Sequence, residues 1–433
     1  MTAESRPGPQ SDWSLKAVYA LGFLTLIAAF NYLDRSLLGL ALPDIKAEMH
    51  VSDTVLGLVS GLAFVAIYSV LGIPIAWAAD RYNRRNIIAI GFGFWSVMTA
   101  ISGFAANIWQ LAAARLLMGA GEAAGLSPSA SMISDFFRAE RRALAMAIFG
   151  TSSAISGIIF FPLVGWIGET YGWRQMFIAA GVPGMLLALL FFLTVREPAR
   201  GDKEAVATPF KAADVSETAR FLMNSRSYLL LVAGATFMGA NLYATAAWAP
   251  TFLSRVHGMN LTEIASVIGI IRGCVATLGI LAGGLLIDRI GRTNPKLRAR
   301  IPAIACFIAG PAEALYLLSD PAGLWMTGFV ISSFFVLIYQ GPIFALGVSI
   351  VRLPMRAVAT SIIVFSTGLL GQVLGPLIVG ALNDLLTPQL GPMAVRYSLL
   401  LGAVTPLLAG VMFWLAGEQL EADSARAEPR PAV

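Results

Sequence analysis

Twelve apolar segments follow one another along the chain, and each is long enough, or nearly so, to cross a lipid bilayer. A spanning helix needs roughly 20 mainly apolar residues. Because the bilayer core offers no partner to an exposed backbone, a helix is the structure that such a segment adopts. The sequence therefore predicts an all-α membrane protein with twelve transmembrane helices. The segments lie at about 17–43, 54–79, 86–106, 108–134, 142–168, 173–195, 227–253, 261–287, 301–318, 323–350, 357–383 and 393–417.

The composition supports a membrane environment. Of the 433 residues, 57% are hydrophobic and 13% are charged, whereas a soluble domain carries about 25% charged residues. Cys274 and Cys306 lie in apolar segments, with no spacing that indicates a disulfide framework or a metal site. No nucleotide-binding, zinc-protease or serine-hydrolase motif occurs. We therefore expect no metal, no cofactor and no enzymatic activity. The residues before the first segment lack signal-peptide features, so we expect insertion through the first span.

The basic residues indicate the orientation of the chain in the membrane. The loops after the second, fourth, sixth, eighth and tenth segments contain nineteen Lys and Arg residues, against four in the alternate loops. Cytoplasmic loops carry the excess of positive charge, so both termini are predicted to be cytoplasmic. The sequence pI near 9.3 then reflects this one-sided topology, and we expect no nucleic-acid partner.

The two halves of the chain carry matching motifs. ADRYNRR (79–85) follows the second segment and IDRIGRT (287–293) follows the eighth. GIIFFPLVG (157–165) lies in the fifth segment and GQVLGPLIVG (371–380) in the eleventh. Such repeats are typical of secondary transporters, whose substrate site lies near the midplane between the repeats. The predicted organisation is a tail at 1–16, a six-helix bundle at 17–195, a linker at 196–226, a second six-helix bundle at 227–417 and a tail at 418–433.

These motifs resemble those of the major facilitator superfamily. Residues 284–292 read GLLIDRIGR and are similar to the family's signature between its eighth and ninth helices. In the N half, Ala76 and Asn83 stand where that signature usually has glycines. Residues 115–123 resemble the family's fourth-helix motif, and the two proline-containing stretches resemble its gating-helix motif. The resemblance implies two pseudo-symmetric six-helix bundles that work by alternating access around a central cavity.

A narrower resemblance is to the spinster branch of that family. NYLDR (31–35), DRYNRR (80–85), FWS (94–96), GAGEA (119–123) and VREPARG (195–201) are similar to spinster motifs and occur in the same order. That branch is associated with proton-linked movement of lysolipids and sphingoid lipids, including sphingosine-1-phosphate. The resemblance implies a carrier in the bacterial inner membrane that works as a monomer. Its expected partners are protons, a small amphiphilic or anionic substrate and the lipid bilayer.

Four charged residues lie inside predicted spans of the N half. They are Asp34, Arg35, Arg115 and Glu122. A charge at a helix centre costs from about 3 to more than 10 kcal/mol, so each must face a partner or a water-filled cavity. Because spans one and four both line the cavity in the resembled fold, we expect the four to meet there. They then form either structural ion pairs or a titratable switch, in which protonation of one acid frees an arginine for an anionic head group.

Weakly polar and aromatic residues are expected to line the rest of the cavity. We predict the following set: Asn31, Tyr32, Phe237, Asn241, Tyr243, Arg272, Tyr339, Gln340, Phe365 and Ser366. A charged wall and an apolar wall suit an amphiphile better than a sugar. Glu313, near the outer end of the ninth span, is expected to be packed or to reach the interface.

The resemblance also implies a gate and its hinges. Aspartates at the cytoplasmic ends of the second and eighth spans, with neighbouring arginines, are expected to latch the inner gate in the outward-open state. The predicted latch residues are Asp80, Arg81, Arg84, Arg85, Asp288, Arg289 and Arg292. Proline removes a backbone hydrogen bond and favours bending, so hinges are predicted in the fifth and eleventh spans. The hinge residues are Gly157, Pro162, Gly371, Gly375 and Pro376.

Two alternatives stay open at this point. One is a proton-coupled symporter of a small organic anion or sugar acid, because several members of the family share the fourth-helix motif. The other is a membrane receptor that does not transport. The leading interpretation is a proton-coupled transporter of a lysolipid or a sphingoid-like lipid.

Overall fold

The computed structural model of the chain describes residues 13–200, 215–290 and 295–427, and these are helical almost throughout. No strand occurs among these residues. The N half contains the α-helices Leu15–Met49, Asp53–Arg81, Arg84–Ser102, Ile108–Glu122, Leu126–Phe136, Ala139–Gly150, Ser152–Ile155, Phe161–Tyr171 and Trp173–Thr194. A short helix, Val215–Met223, precedes the C half. The C half contains Arg226–His257, Leu261–Ile270, Thr277–Ile290, Pro295–Leu318, Ala322–Val336, Gln340–Ser349, Arg356–Phe365, Gly371–Leu390, Ala394–Ser398 and Leu401–Ala427.

These helices confirm the twelve predicted spans. In the described part of the chain, nine stretches are long and apolar enough to cross a membrane, and the longest, Leu353–Arg426, contains both the eleventh and the twelfth span. The third and fourth spans do not reach this measure. The third, Arg84–Ser102, begins with two arginines and an asparagine, and the fourth is divided into the helices Ile108–Glu122 and Leu126–Phe136.

Polar side chains define where several spans begin. The first four backbone N–H groups of a helix have no partner inside the helix, so a side-chain oxygen just before it stabilises the start. In this chain the capping residues are Ser14, Ser52, Asn83, Asn107, Ser225 and Asn260. At Asn260 the cap is reciprocal, because Glu263 also accepts from the backbone of Asn260. These caps define the residue at which each of these six helices begins.

Five spans are irregular near their middle, and the irregularities occur in both halves. The fourth span is interrupted at residues 123–125, directly after Glu122, and the tenth at residues 337–339, directly before Gln340. Segments of π-helix occur in the fifth, eighth and eleventh spans, at Ser156–Phe160, Ile271–Ala276 and Ser366–Leu370. Such segments are rare and are frequent at functional sites.

Glycines join the two halves tightly on the side of the membrane opposite the termini, called here the far side. A Cβ atom on Gly57 of the second span would lie 2.4 Å from the carbonyl oxygen of Pro376 in the eleventh. A Cβ on Gly269 of the eighth span would lie 2.1 Å from the carbonyl oxygen of Gly157 in the fifth. Any larger side chain would force these backbones apart. Small residues of this kind allow close helix packing in membranes, where lipid is as apolar as Leu.

Charged groups complete this far-side closure. Asp384 of the eleventh span accepts hydrogen bonds from the backbone N–H groups of Asp53 (2.9 Å) and Thr54 (2.8 Å), and from the Thr54 hydroxyl (2.6 Å). It therefore caps the second span from the other half of the protein. Asp53, fully buried, pairs with Lys46 at 2.7 Å and with Arg255 of the C half at 3.0 Å. With the far side closed, the side that carries the termini is the remaining route to the interior.

On the side of the termini, the described latch residues of the N half make contacts within that half. Arg84 is buried and pairs with Asp135 at 2.5 Å and with Glu197 at 2.7 Å. Arg200 donates to the backbone carbonyls of residues 79, 80 and 82, and so caps the end of the second span. These two networks give a physical role to the VREPARG motif.

The other predicted latch residues have different surroundings. Arg81 lies over the Trp77 ring at 4.1 Å and Arg85 over the Phe192 ring at 4.9 Å. Asp80, Asp288 and Arg289 are exposed. Arg292 lies outside the described residues, as do parts of the predicted linker and tails. A latch between the halves in an outward-open state therefore stays a prediction.

The far-side closure predicts the effect of Asp384→Asn. Asparagine removes the negative charge from three hydrogen bonds, and a net loss of about 1.4 kcal/mol would change the ratio of closed to open molecules about tenfold. We expect a cysteine in place of Ser36, which lines an interior cavity, to react faster with a membrane-impermeant maleimide added from the far side.

Asp320→Asn is the matched control. Asp320 lies at the same side, but its partner, Arg396, belongs to the same half. That variant should leave the labelling rate unchanged. An equal rate in Asp384→Asn and in the parent protein would show that this cap does not hold the far side closed.

Candidate functional site: a charged cavity between the two halves

An ion pair buried between the first and fourth spans forms the centre of the site. Arg35 Nε donates to Glu122 Oε2 at 2.8 Å, and Asn31 Nδ2 donates to the same oxygen at 2.7 Å. The Glu122 side chain has no exposed surface, whereas the Arg35 side chain is 26% exposed. The pair is thus closed on the carboxylate side and open on the guanidinium side.

Local structure explains how Glu122 reaches this position. It is the last residue of the helix Ile108–Glu122, and the turn at residues 123–125 follows it. Gly121 packs on the third span, where a Cβ atom would lie 2.8 Å from the backbone of Trp95. Glu122 Oε1 is buried and has no hydrogen-bond partner among the described residues. This oxygen is therefore available to a proton.

Aromatic rings contact the face of the Arg35 guanidinium and leave N–H donors at its edge available. Its guanidinium lies over the rings of Phe64 at 4.9 Å and Tyr68 at 5.0 Å, both on the second span. Aromatic faces attract a cation without occupying its N–H groups. In the part of the chain that the structure describes, Nη1 and Nη2 have no hydrogen-bond partner. Arg35 therefore offers a two-pronged donor of the kind that binds carboxylate and phosphate groups.

Asp34 and Arg115 lie behind this pair, away from the cavity. Asp34 accepts from the Thr99 hydroxyl at 3.2 Å. Arg115 Nη1 donates to the backbone oxygen of Asp34 at 2.9 Å. Both residues are 1% exposed, and no ion pair within 4 Å joins them in the described structure. The four expected charges do lie together. Arg35 and Glu122 face the cavity, whereas Asp34 and Arg115 lie behind them and support the first span.

Two adjoining cavities of about 210 and 280 Å³ lie between the halves, and a third of about 300 Å³ beside them is lined by residues of the N half. Tyr32 lines all three, and Arg35 lines the two larger ones. Six residues predicted to line the cavity do so: Asn31, Tyr32, Asn241, Tyr243, Arg272 and Gln340. Much of the remaining wall is apolar: Ile27, Leu38, Leu126, Met146, Phe149, Phe161, Leu242 and Ile268.

Four residues predicted to line the cavity lie elsewhere. Phe237, Tyr339, Phe365 and Ser366 line none of these three cavities. Tyr339 is buried and stacks on Phe413 with 6.2 Å between ring centroids, and Phe237 packs against the same core. Phe365 is 52% exposed. Aromatic residues at helical spacing therefore included packed and exposed positions as well as cavity positions, because the pattern alone does not say which face of a span meets the cavity.

The predicted hinge residues lie at irregular or tightly packed positions. Gly157 is inside the π-helical segment of the fifth span, and Pro162 follows that segment. Gly371 begins the helix after the π-helical segment of the eleventh span, and Gly375 and Pro376 lie within that helix. Whether these positions bend during transport stays a prediction.

Arg272 and Glu313 place a second pair of charges in the C half. Arg272 is in the π-helical segment of the eighth span and lines two of the cavities, one of them together with Arg35. Glu313 is 4% exposed and lines the smallest cavity beside Arg272. It is packed, which is one of the two environments expected for it, but its position at the cavity was not predicted. The sequence signal was a carboxylate in an apolar span, the same signal that identified Glu122.

This architecture defines an integral membrane transporter with a polar cavity between two helical halves, and comparison with known proteins agrees. The sequence profile of the Major Facilitator Superfamily matches residues 24–376. The chain belongs to that family, whose fold has twelve helices, and it is a transporter and not an enzyme.

Individual relatives are more specific. An "MFS-type efflux pump" from Mycolicibacterium smegmatis is 30% identical, with 96% of this chain and 95% of that protein covered. "Protein spinster homolog 1" from Xenopus tropicalis is 26% identical, over 96% of this chain and 82% of its own length. A crystal structure described as a bacterial homolog to the human lysosomal transporter spinster, inward-facing and unoccupied, superposes with a TM-score of 0.85. It is 27% identical and covers 97% of this chain and 100% of its own. The resemblance to the spinster branch is confirmed.

The ion pair predicts a non-additive response to mutation. Arg35→Ala leaves Glu122 buried without a counter-charge, and breaking a buried pair in this way costs about 3–5 kcal/mol. We expect a large fall in the thermal unfolding temperature of the purified protein. Glu122→Gln removes the charge that needs a partner, so Arg35→Ala in that background should cost much less. If Arg35→Ala destabilises both backgrounds equally, the two side chains are not energetically coupled.

Proposed function

We propose that this chain is a proton-coupled secondary transporter for an amphiphile with an anionic head group, such as a lysolipid. The observation that carries the proposal is the Arg35–Glu122 pair, which lies at the wall of a cavity between the two halves with its guanidinium facing inward. The names of the spinster relatives support the coarser part of the proposal, which is a transporter.

The coupling step is an exchange of partners at Arg35. While Glu122 is ionised, its charge neutralises Arg35 and the site has no net attraction for an anion. A proton that binds Glu122 Oε1 forms an O–H bond, leaves the carboxyl neutral and releases the guanidinium. Arg35 then donates to two oxygens of the head group, a geometry that suits carboxylate and phosphate. Anion binding and proton binding therefore favour each other, as coupled transport requires.

The walls of the cavity support an amphiphilic substrate. Arg272 faces the same cavity as Arg35 from the opposite half, so an anionic group between them would contact both halves. Apolar side chains cover the surrounding wall on either side of Arg35. A lipid chain buried there would gain about 0.8 kcal/mol per CH₂ group. A sugar acid would leave this apolar surface uncovered.

Alternating access would follow from movement of one half against the other. The structure has the far side closed by glycine contacts and by the Asp384 cap. We infer that the described state is inward-facing, with both termini cytoplasmic in a bacterial inner membrane. Bending at the π-helical segments, followed by closure of the Asp80 and Asp288 latch regions, would produce the opposite state. Both halves belong to one chain, so a monomer suffices.

The coupling step predicts how pH acts on binding and uptake. In the parent protein, binding of a lysophospholipid should strengthen as pH falls, because protonation of Glu122 releases Arg35. Glu122→Gln imitates the protonated acid, so binding should persist with a weaker dependence on pH. Uptake driven by a pH gradient should fall at least tenfold, measured in proteoliposomes as labelled lysophospholipid protected from extraction by albumin.

Two comparisons make this measurement specific. Glu421→Gln changes an exposed glutamate of the last helix and should behave like the parent protein. Asp34→Asn should reduce gradient-driven uptake less than Glu122→Gln, because Asp34 does not face the cavity. Gradient-driven uptake of a sugar acid such as glucarate, without uptake of the lysophospholipid, would contradict the proposed substrate class. Binding without uptake of either compound would indicate a receptor.

A further inference from the structure

The smallest cavity contains a polar site in the C half that the Arg35–Glu122 exchange does not use. Glu313 Oε2 accepts a hydrogen bond from the Ser332 hydroxyl. Its other oxygen, Oε1, is buried and has no hydrogen-bond partner in the described residues, and the buried Tyr316 hydroxyl also has none. Buried polar atoms are rarely left unpaired, because a buried group without a hydrogen bond destabilises the folded protein. The cavity of about 210 Å³ that Glu313 lines has room for a partner of Glu313 Oε1.

Arg272 is the cation of this site, and its donors are available. The guanidinium lies over the Phe329 ring at 5.6 Å. Across the described chain, no ion pair within 4 Å and no hydrogen bond to a protein group involves the Arg272 guanidinium. Glu313 lines the same cavity and is the acidic residue that acts electrostatically on Arg272. This arrangement has the same parts as the N-half pair: an arginine on the cavity wall and a buried carboxylate with one unpaired oxygen.

Glu313 and Arg272 are the two charged groups that determine the electrostatics of this site. The charged and titratable groups that face Glu313 are Arg272, from the eighth span, and Tyr316, from its own helix. The seventh span contributes Asn241, the tenth contributes Ser332, and the twelfth contributes Gly402, whose Cβ position lies 3.6 Å from Glu313 Oε1. None of these three residues titrates near neutral pH.

We propose that Glu313 is a second proton-binding site, which releases Arg272 for the substrate when a proton binds its Oε1 atom. The inference rests on the proposed function and adds a rule for the number of protons. With both carboxylates ionised, each arginine is neutralised by its own half. Each proton bound adds one uncompensated positive charge to the shared cavity wall. A head group with one negative charge is balanced by one proton, and a head group with two negative charges is balanced by two.

The rule follows from the cost of net charge inside a membrane. An uncompensated charge there costs several kcal/mol, so the occupied cavity is most stable when substrate and wall sum to zero. A phosphate monoester carries close to two negative charges at neutral pH and needs both arginines. A phosphate diester carries one. The number of protons taken up should therefore depend on the head group.

Proton uptake on binding tests this directly. Calorimetric titration of the purified full-length protein is carried out at one pH in several buffers of different ionisation enthalpy, whose comparison gives the number of protons bound per substrate. The probes are a lysophospholipid with a phosphate monoester head group and one of the same chain length with a phosphodiester head group. We expect about two protons for the monoester and about one for the diester.

Variants separate the two carboxylates. Glu313→Gln leaves Arg272 permanently uncompensated, so the monoester should still bind but with about one proton fewer. Glu122→Gln should also lower the count by about one, and the double variant should bring it close to zero. Glu421→Gln should change nothing. Ser332→Ala keeps the carboxylate but removes the hydroxyl that stabilises its ionised form, so the midpoint of proton uptake should move to higher pH.

The outcomes distinguish the two proposals. If Glu122→Gln lowers the count while Glu313→Gln and Ser332→Ala leave it and its pH midpoint unchanged, the second proton site is wrong and the proposed function stands. If neither probe binds, or if Glu122→Gln leaves the count of the parent protein, the proposed function fails and the second site fails with it.

Discussion

The pairing of charge inside an apolar environment is the constraint on which the rest of this protein depends. Arg35 and Glu122 lie in spans that would otherwise be entirely suited to lipid, and neither is tolerable there alone. Their contact removes the cost of burial and makes the first and fourth spans a unit. Because Arg35 also faces the cavity, the same contact that stabilises the N half is one that a substrate can replace. In the proposed mechanism, stability and transport therefore depend on the same interaction.

The closure of the far side separates the Arg35–Glu122 pair from that side of the protein. Glycine contacts between the second and eleventh spans, and between the fifth and eighth, hold the two halves together without any large side chain. Close contact of this kind is either complete or absent, because packed interfaces do not deform continuously. The cap from Asp384 and the pairs at Asp53 add charge to the same surface. In the proposed mechanism, a proton and an anion bound at the centre would favour one arrangement of the two halves over the other.

Most of the fold could be predicted from the sequence, and the reason is physical. The chain has twelve apolar stretches, and each must form a helix in lipid to satisfy its backbone hydrogen bonds, so the number of helices follows from the sequence. The buried charges were also predictable, because an ionisable residue in a membrane needs a partner. The interruption after Glu122 was not, since Ala123 and Ala124 are good helix formers and other glycines of this chain lie inside unbroken helices. The sequence also does not determine the depth and rotation of each span. For this reason Phe237 and Tyr339 were assigned to the cavity and Glu313 was not.

The central claim is that a carboxyl group becomes protonated when an anionic substrate binds, and infrared difference spectroscopy measures this directly. The purified protein in lipid is exposed to a lysophospholipid at constant pH, and the spectra with and without substrate are compared. We expect a new carbonyl-stretch band of a protonated carboxylic acid, which shifts in D₂O and loses intensity in Glu122→Gln. Binding of the lysophospholipid with no protonated-carboxyl band, or with a band that is unchanged in Glu122→Gln, would contradict it.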